Sequence, residues 1–371
     1  MLNDEMKSSN KSLSVNNSLN SKKMLGGGRA SNLELYRIIA MFLIVAHHYV
    51  VNSGLLTAIN EQNVLQFRDY FLLVFGAWGK TGINCFVLIT GYFMCTSHIT
   101  KRKFCKLVGE RYFYAIVFYM VFLFTGYEQS PLKSLIKVVY PLYSINQNFT
   151  TCFLLFYLLI PFLNKLIGVL DEKKHRLLLI WCVVVYVVLP SIPMASISFN
   201  YITWFCILFI IASYIRLYPM EWMNDNRIVG PLMAISIFMS AASVVVVAYF
   251  SRKLLGKSVN YFFVSDSNKI IAVLTGVTSF LFFRNLKIRN NKVINKIATS
   301  TFGVLLIHAN SDTMRQWLWR DVCNVVGEYE KGGAIILHAV LCVAIIYIVC
   351  TLIDMLRIFL FQHFRKKITT L

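Results

Sequence analysis

The sequence predicts an all-α, polytopic membrane protein with about ten transmembrane helices and both termini in the cytoplasm. Of its 371 residues, 57% are apolar and only 15% are charged, and the mean hydropathy is +0.61. Soluble globular chains carry about a quarter charged residues. The apolar residues also fall in blocks of about 20, the length that a helix needs to cross a bilayer. Residues 229–250 and 334–353 are the clearest blocks, because no Asp, Glu, Lys or Arg lies within them.

The apolar blocks give ten predicted spans, of which the second and the ninth are short. They cover approximately residues 33–52, 82–97, 111–127, 150–169, 177–192, 200–217, 229–250, 268–284, 297–311 and 334–360. The segment 71–78 is also apolar, but Gly76, Gly79 and Gly82 interrupt this part of the chain. We expect an interfacial or re-entrant piece there rather than a span.

Residues 1–31 differ in composition, since Ser, Asn and Lys dominate them. Such a segment cannot bury a core and is expected to be disordered. Gly26, Gly27 and Gly28 indicate a flexible joint rather than a phosphate-binding loop, because no Lys-Ser/Thr pair follows them. The first apolar stretch starts late and is full length, so we expect no cleavable signal peptide. The predicted organisation is a disordered basic cytoplasmic tail, residues 1–31, followed by a transmembrane domain, residues 32–371.

The formal net charge of +20 is explained by topology rather than by nucleic-acid binding. With the N-terminus inside, 25 Lys and Arg side chains fall on the cytoplasmic side and 11 on the opposite side. This bias follows the positive-inside rule and supports both termini in the cytoplasm. The basic inner side is expected to contact the anionic headgroups of membrane lipids, and no nucleic-acid partner is expected.

The nine cysteines include no C-x-x-C pair, and most lie within predicted spans, where Cys behaves as a small apolar residue. Cys323 falls in a predicted outer loop without an evident partner there. We therefore expect no structural disulfide and no zinc or other metal site.

Ionisable side chains form a stripe along the first span. Arg37 and His48 are eleven residues apart, which in an α-helix is about three turns plus 20°, so both lie on one face about 16 Å apart. Glu34 lies one turn before Arg37 on the same side. Ionisable groups inside membrane helices usually face a protein interior or a water-filled cavity and mark functional sites. His47 points about 100° away from His48, so His48 is the favoured catalytic histidine.

Each of these residues has a structural alternative. His48 suits proton transfer near neutral pH, but it could also be a hydrogen-bonding histidine between helices. Arg37 could bind the phosphates of a cytoplasmic donor, or could extend to the headgroups or pair with Glu34. His308, at the end of the ninth span, is either a second site histidine or an interfacial hydrogen-bonding group.

Several motifs together resemble the acyltransferase 3 family of integral membrane acyltransferases, mostly bacterial enzymes that modify surface polysaccharides. The resemblance covers most of the chain after residue 31. An acidic residue, an Arg three later and a His eleven after that match Glu34, Arg37 and His48. Further motifs match residues 86–92, residues 153–165 with a late Pro, and the segment Thr301–His308. The chain departs from the family pattern at Cys152, Thr90, Leu305 and Ser213, which puts the shape of the cavity and the acceptor in doubt.

The resemblance implies an acyltransferase domain in a bacterial cell membrane that moves an acyl group from acyl-CoA to a sugar hydroxyl. The expected donor is acetyl-CoA, and the expected acceptor is a cell-surface or lipid-linked glycan. His48 would deprotonate the acceptor hydroxyl, or would carry the acyl group as a relay. The predicted catalytic residues are His48, Arg37 and Glu34, and the predicted substrate-binding residues are His47, Thr90, Tyr92, Trp204, His308 and Asn310. Tyr92 and Trp204 could instead be packing or interfacial aromatics.

Two other functions fit a ten-span chain with a polar stripe. One is a transporter or exporter of a polysaccharide or lipid-linked sugar, although no internal two-fold repeat of the kind common in transporters is visible. The other is a structural component of a glycan-assembly complex. Glycan-assembly machinery and a second copy of the chain are therefore the protein partners to consider. No GxSxG elbow or Ser-His-Asp set supports a hydrolase-like triad.

Overall fold

The computed structural model describes residues 30–142, 149–193 and 199–369, with side chains described up to residue 363. Within these ranges the chain is helical and contains no strand. In chain order the helices are α1 (Ser31–Val51), α2 (Leu55–Asn60), α3 (Phe67–Gly76), α4 (Gly79–Met94), α5 (Lys101–Phe124), α6 (Pro131–Val139), α7 (Phe149–Val169), α8 (Glu172–Ser191), α9 (Tyr201–Leu217), α10 (Asn226–Leu255), α11 (Ile270–Asn285), α12 (Lys292–Ala298), α13 (Thr301–His308), α14 (Asp312–Arg315), α15 (Val325–Glu330) and α16 (Ile335–Thr369).

Seven helical stretches in the described parts are long and apolar enough to cross a membrane. They are α1, the joined α3–α4, α5, α7, α8, α10 and the part of α16 up to His363. The predicted all-helical membrane fold is thus confirmed, but the count of ten spans and the placement of the termini are not. The predicted sixth and eighth spans are the 17-residue α9 and the 16-residue α11. The predicted ninth contains only the eight-residue α13, about 12 Å long.

The sequence predicts an interfacial or re-entrant piece at residues 71–78. The structure instead places this segment within a helical stretch that is long and apolar enough to cross a membrane. α3 runs to Gly76, and α4 resumes at Gly79 as part of one 28-residue apolar stretch. The glycines in it are contact points rather than breaks. A Cβ on Gly76 would lie 2.6 Å from Val50, and one on Gly82 would lie 2.9 Å from the Ala40 carbonyl oxygen. Small residues allow membrane helices to approach this closely.

The centre of the bundle is formed by α1, α4 and α9, with α11, α13 and α16 around them. Of the 18 most apolar consecutive residues of α3–α4, 72% are buried, whereas the corresponding share is 22% in α8 and in α10. Helices α8 and α10 are therefore peripheral, and their apolar side chains face outward where lipid would lie. Ser31 is buried, and its hydroxyl donates to Asn295 Oδ1 at 2.9 Å. Ser31 thus belongs to the packed part of α1, and residues 1–29 of the predicted tail lie outside the described residues.

Candidate active site

The candidate site is built around two histidines from helices that are far apart in the sequence. His48 lies in the last turn of α1, and His308 ends α13. His48 Nδ1 lies 2.9 Å from His308 Nε2. The His308 ring is fully buried, whereas His48 is partly exposed. The structure thus brings together two residues that the sequence predicts for catalysis and for substrate binding.

The backbone of α13 determines which nitrogen of the pair is basic. His308 Nδ1 lies 2.6 Å from the Val304 carbonyl oxygen, one turn earlier. A carbonyl oxygen only accepts, so we assign a proton to His308 Nδ1. Nε2 of neutral His308 then accepts a hydrogen bond from His48 Nδ1–H. Because neutral His48 carries its single N–H proton on Nδ1, its Nε2 is unprotonated. This is the state required of a general base.

His47 is held between α1 and the α3–α4 stretch. Its Nδ1 lies 2.6 Å from the Gly76 carbonyl oxygen. A Cβ on Gly79 would overlap the His47 ring, so the glycine makes room for the imidazole. The rings of His47 and His48 are 5.7 Å apart, and they contact different helices. This agrees with the offset of about 100° between consecutive helical residues.

Arg37 and Glu34 form an ion pair at the other end of α1. Arg37 Nη1 lies 3.1 Å from Glu34 Oε2, and the guanidinium carbon lies 5.7 Å from the centre of the Phe86 ring. The side chain of Arg37 is 24% exposed, so the cation lies at a partly open surface. Pairing with Glu34, one of the two structural alternatives for Arg37, is therefore observed. Phosphate binding by Arg37 stays a prediction.

Three further predicted substrate-binding residues make local or interhelical hydrogen bonds. Thr90 and Asn310 each donate to a backbone carbonyl four residues earlier in the chain. Trp204 is buried, and its indole N–H donates to Asn84 Oδ1 at 2.9 Å. No hydrogen bond joins these three to the histidine pair among the described residues, and their role in binding stays a prediction.

Tyr92 lies far from the histidines along α4. Gly79 packs on His47, and Tyr92 follows thirteen residues later, about 20 Å along the helix. Its hydroxyl accepts a 2.8 Å hydrogen bond from Arg216 Nη1, and the guanidinium carbon lies 4.7 Å from the ring centre. Sequence reasoning missed Arg216 as the partner of Tyr92. The indication in the sequence was a lone arginine in the last turn of an otherwise apolar span.

A buried ionic cluster holds α13 against α5 and α16. Asp354 Oδ1 accepts hydrogen bonds from the Tyr114 hydroxyl and from Arg357. Arg357 also pairs with Glu110 at 2.8 Å. Asp354 is fully buried, and a Cβ on Gly303 would overlap its carboxylate, so α13 can approach only because residue 303 is glycine. Asp354 of α16 therefore makes an interhelical contact with α5. Gly303, which touches this cluster, lies five residues before His308 on α13. The cluster therefore helps to position that histidine.

An ion pair joins the segment after His308 to α6. Asp312 Oδ2 lies 2.8 Å from Lys137 Nζ, and Asp312 Oδ1 lies 3.0 Å from Arg315 Nη1. The hydrogen bond from the Lys137 ammonium lowers the pKa of the Asp312 carboxyl below its usual value of 3.8.

Cys323 has a partner that the sequence did not indicate. Its sulfur lies 3.1 Å from that of Cys342, and both thiols are free. The sequence indicates no partner for Cys323 within the outer loop, and the neighbouring thiol comes instead from α16. Among the described residues, no group of three or more His, Cys, Asp or Glu side chains is arranged to hold a metal ion.

The fold and these side chains define a multi-pass helical membrane protein with a polar, histidine-containing interior. A family model, described as an acyltransferase domain of the acyltransferase 3 type, matches residues 31–355, nearly the whole chain. The chain therefore belongs to the acyltransferase 3 family and is a membrane acyltransferase. The same comparisons find no match among curated proteins or solved structures.

Proposed function

We propose that the chain transfers an acyl group, most simply acetyl, from acyl-CoA to a hydroxyl of a cell-surface or lipid-linked glycan in a bacterial cytoplasmic membrane. The observation that carries this proposal is the 2.9 Å contact between His48 and His308, together with the Val304 carbonyl that orients it. A basic imidazole nitrogen held by a second group is the arrangement that activates hydroxyl nucleophiles.

In the proposed reaction, His48 Nε2 removes the proton of the acceptor hydroxyl as its oxygen attacks the thioester carbonyl. The carbon–sulfur bond breaks, and the leaving sulfur takes the proton from His48. The products are the glycan ester and the free thiol of coenzyme A. His308 stabilises the transient charge on His48 through the hydrogen bond at Nδ1. An acyl-histidine relay would use the same Nε2 as nucleophile.

The donor would bind at the Arg37 end of α1. Arg37 is partly exposed, and a guanidinium is suited to binding phosphate oxygens. Glu34 fixes the direction of the guanidinium. Arg37 and His48 are about 16 Å apart along α1, so the acyl-bearing arm of the donor would extend along this helix. The acceptor would then approach His48 from the opposite side of the membrane.

The test replaces His48 and Arg37 by Ala in cells and measures O-acylation of the surface glycan by mass spectrometry, with protein level monitored. Loss of acylation with unchanged glycan export supports the proposal. Retained acylation with lost export would favour the transporter alternative. His98→Ala and Arg227→Ala are matched controls, because they remove the same side chains from a loop and from an exposed surface. The mass added to the glycan identifies the acyl group.

A further inference from the structure

A groove with a cavity volume of about 560 Å³ lies between α5 and α16, at the ends of these helices that carry Lys101 and His363. Within the described part of the chain, the lining residues come from these two helices alone. The lining residues are Arg102, Cys105, Lys106, Gly109, Glu110 and Phe113 from α5, and Arg357, Ile358, Phe361 and Gln362 from α16. Phe361 lines the groove and is 55% exposed, so the groove is open at the outer surface of the bundle.

The groove combines a basic rim with an apolar slot. Arg102 and Lys106 are exposed and lie one turn apart on α5, so both cations face the same opening. Deeper in the groove, Arg357 pairs with Glu110 at 2.8 Å. The lining therefore contains three cations and one anion, and the carboxylate is already paired. Phe113 and Phe361 supply apolar surface beside the rim.

Gly109 gives the groove its depth. A glycine inside a helix costs about 0.5–1 kcal/mol relative to alanine. Close helix packing does not explain this one, because a Cβ added to Gly109 would meet no atom within 4 Å. The missing side chain instead leaves open space between the basic rim and the ionic cluster.

We propose that this groove binds an anionic phospholipid, with its phosphate between Arg102 and Lys106 and an acyl chain along Phe113 and Phe361. Basic pockets between membrane helices on the cytoplasmic side bind anionic headgroups in this way. The topology expected from the sequence places these helix ends on that side. A phosphate-bearing donor shares the phosphate chemistry, but the exposed Phe361 and the apolar slot beside the cations favour a lipid. The proposal goes beyond acyl transfer and does not depend on it.

The first experiment titrates the purified full chain in detergent with phosphatidylglycerol or phosphatidylcholine and counts bound lipids by native mass spectrometry. We expect phosphatidylglycerol to bind more tightly, and the double variant Arg102→Ala, Lys106→Ala to lose about 30-fold in affinity. The double variant Lys173→Ala, Arg176→Ala removes two exposed cations elsewhere and should bind as the original chain does. Equal binding of the two lipids, or an equal loss in both double variants, would overturn the proposal.

The second experiment uses the groove's own thiol. Cys105 is exposed, and the other eight cysteines are buried or partly buried. Phosphatidylglycerol should slow maleimide labelling of Cys105 severalfold in the original chain but not in Gly109→Leu, whose side chain would fill the groove. Gly168→Leu is the control, since Gly168 also faces open space but lies on α7. If coenzyme A protects Cys105 and phosphatidylglycerol does not, the groove belongs to the donor and the lipid proposal fails.

Discussion

Replacement of His308 tests whether this residue acts through His48 or is itself the base. In His308→Ala, the Nδ1–H of His48 loses its acceptor, and the proton is no longer directed to that nitrogen. A hydrogen bond to a charged group contributes about 1.5–3 kcal/mol, and this bond stabilises the charge that forms on His48 as it takes the proton. At 1.36 kcal/mol for each factor of ten, transfer should slow by about 10- to 150-fold. His48→Ala removes the base and should cost about 10²- to 10⁴-fold.

The assay measures transfer of radiolabelled acetyl groups from acetyl-CoA to the glycan fraction of membranes, with rates divided by the amount of folded protein. His308→Gln retains an acceptor oxygen and should recover part of the activity lost in His308→Ala. An unchanged rate in His308→Ala would refute the assigned proton positions. A loss in His308→Ala as large as that in His48→Ala, without recovery in His308→Gln, would make His308 the base.

Other predictions concern the packing around the site. Gly303→Ala should destabilise the protein by about 1–3 kcal/mol, because its Cβ would overlap the Asp354 carboxylate. Thermal unfolding in detergent should show this loss of stability. The control Gly168→Ala should show no loss, because its Cβ would meet no other atom. Lys137→Met should speed hydrogen exchange in α14, because it removes the cation that pairs with Asp312; unchanged exchange would contradict this role. The Asp312 carboxyl has a lowered pKa, so its stabilising contribution is complete above about pH 4 and is lost as the pH falls further. Exchange in α14 should therefore rise below pH 4 in the original chain and depend less on pH in Lys137→Met.

The sequence predicts well what one helix determines alone. The spacing of Arg37 and His48 fixes their separation and their common face wherever α1 packs, because helix geometry is local. The ion pair with Glu34 likewise follows from a spacing of three residues. The apolar blocks also predict the helical membrane fold, since the long blocks correspond to long helices in the structure.

Contacts between distant segments could not be predicted from the sequence. His308 reaches His48 across 260 residues of sequence, and Arg216 reaches Tyr92 across 124. Both contacts depend on how the helices pack, which periodicity does not determine. Gly76 was interpreted as an interruption because glycine weakens isolated helices. Inside a bundle it allows close packing instead, and a single sequence does not distinguish these two uses.

The close approach of α1 and the α3–α4 stretch limits how this enzyme can move. Gly76, Gly79 and Gly82 place backbone directly against α1, and a shift of either segment would bring bulkier neighbouring residues to these contacts. We therefore expect the two segments to move together during a catalytic cycle and to carry His48 with them. An opening that admits a substrate or releases a product is then expected from helices on the His308 side of the site.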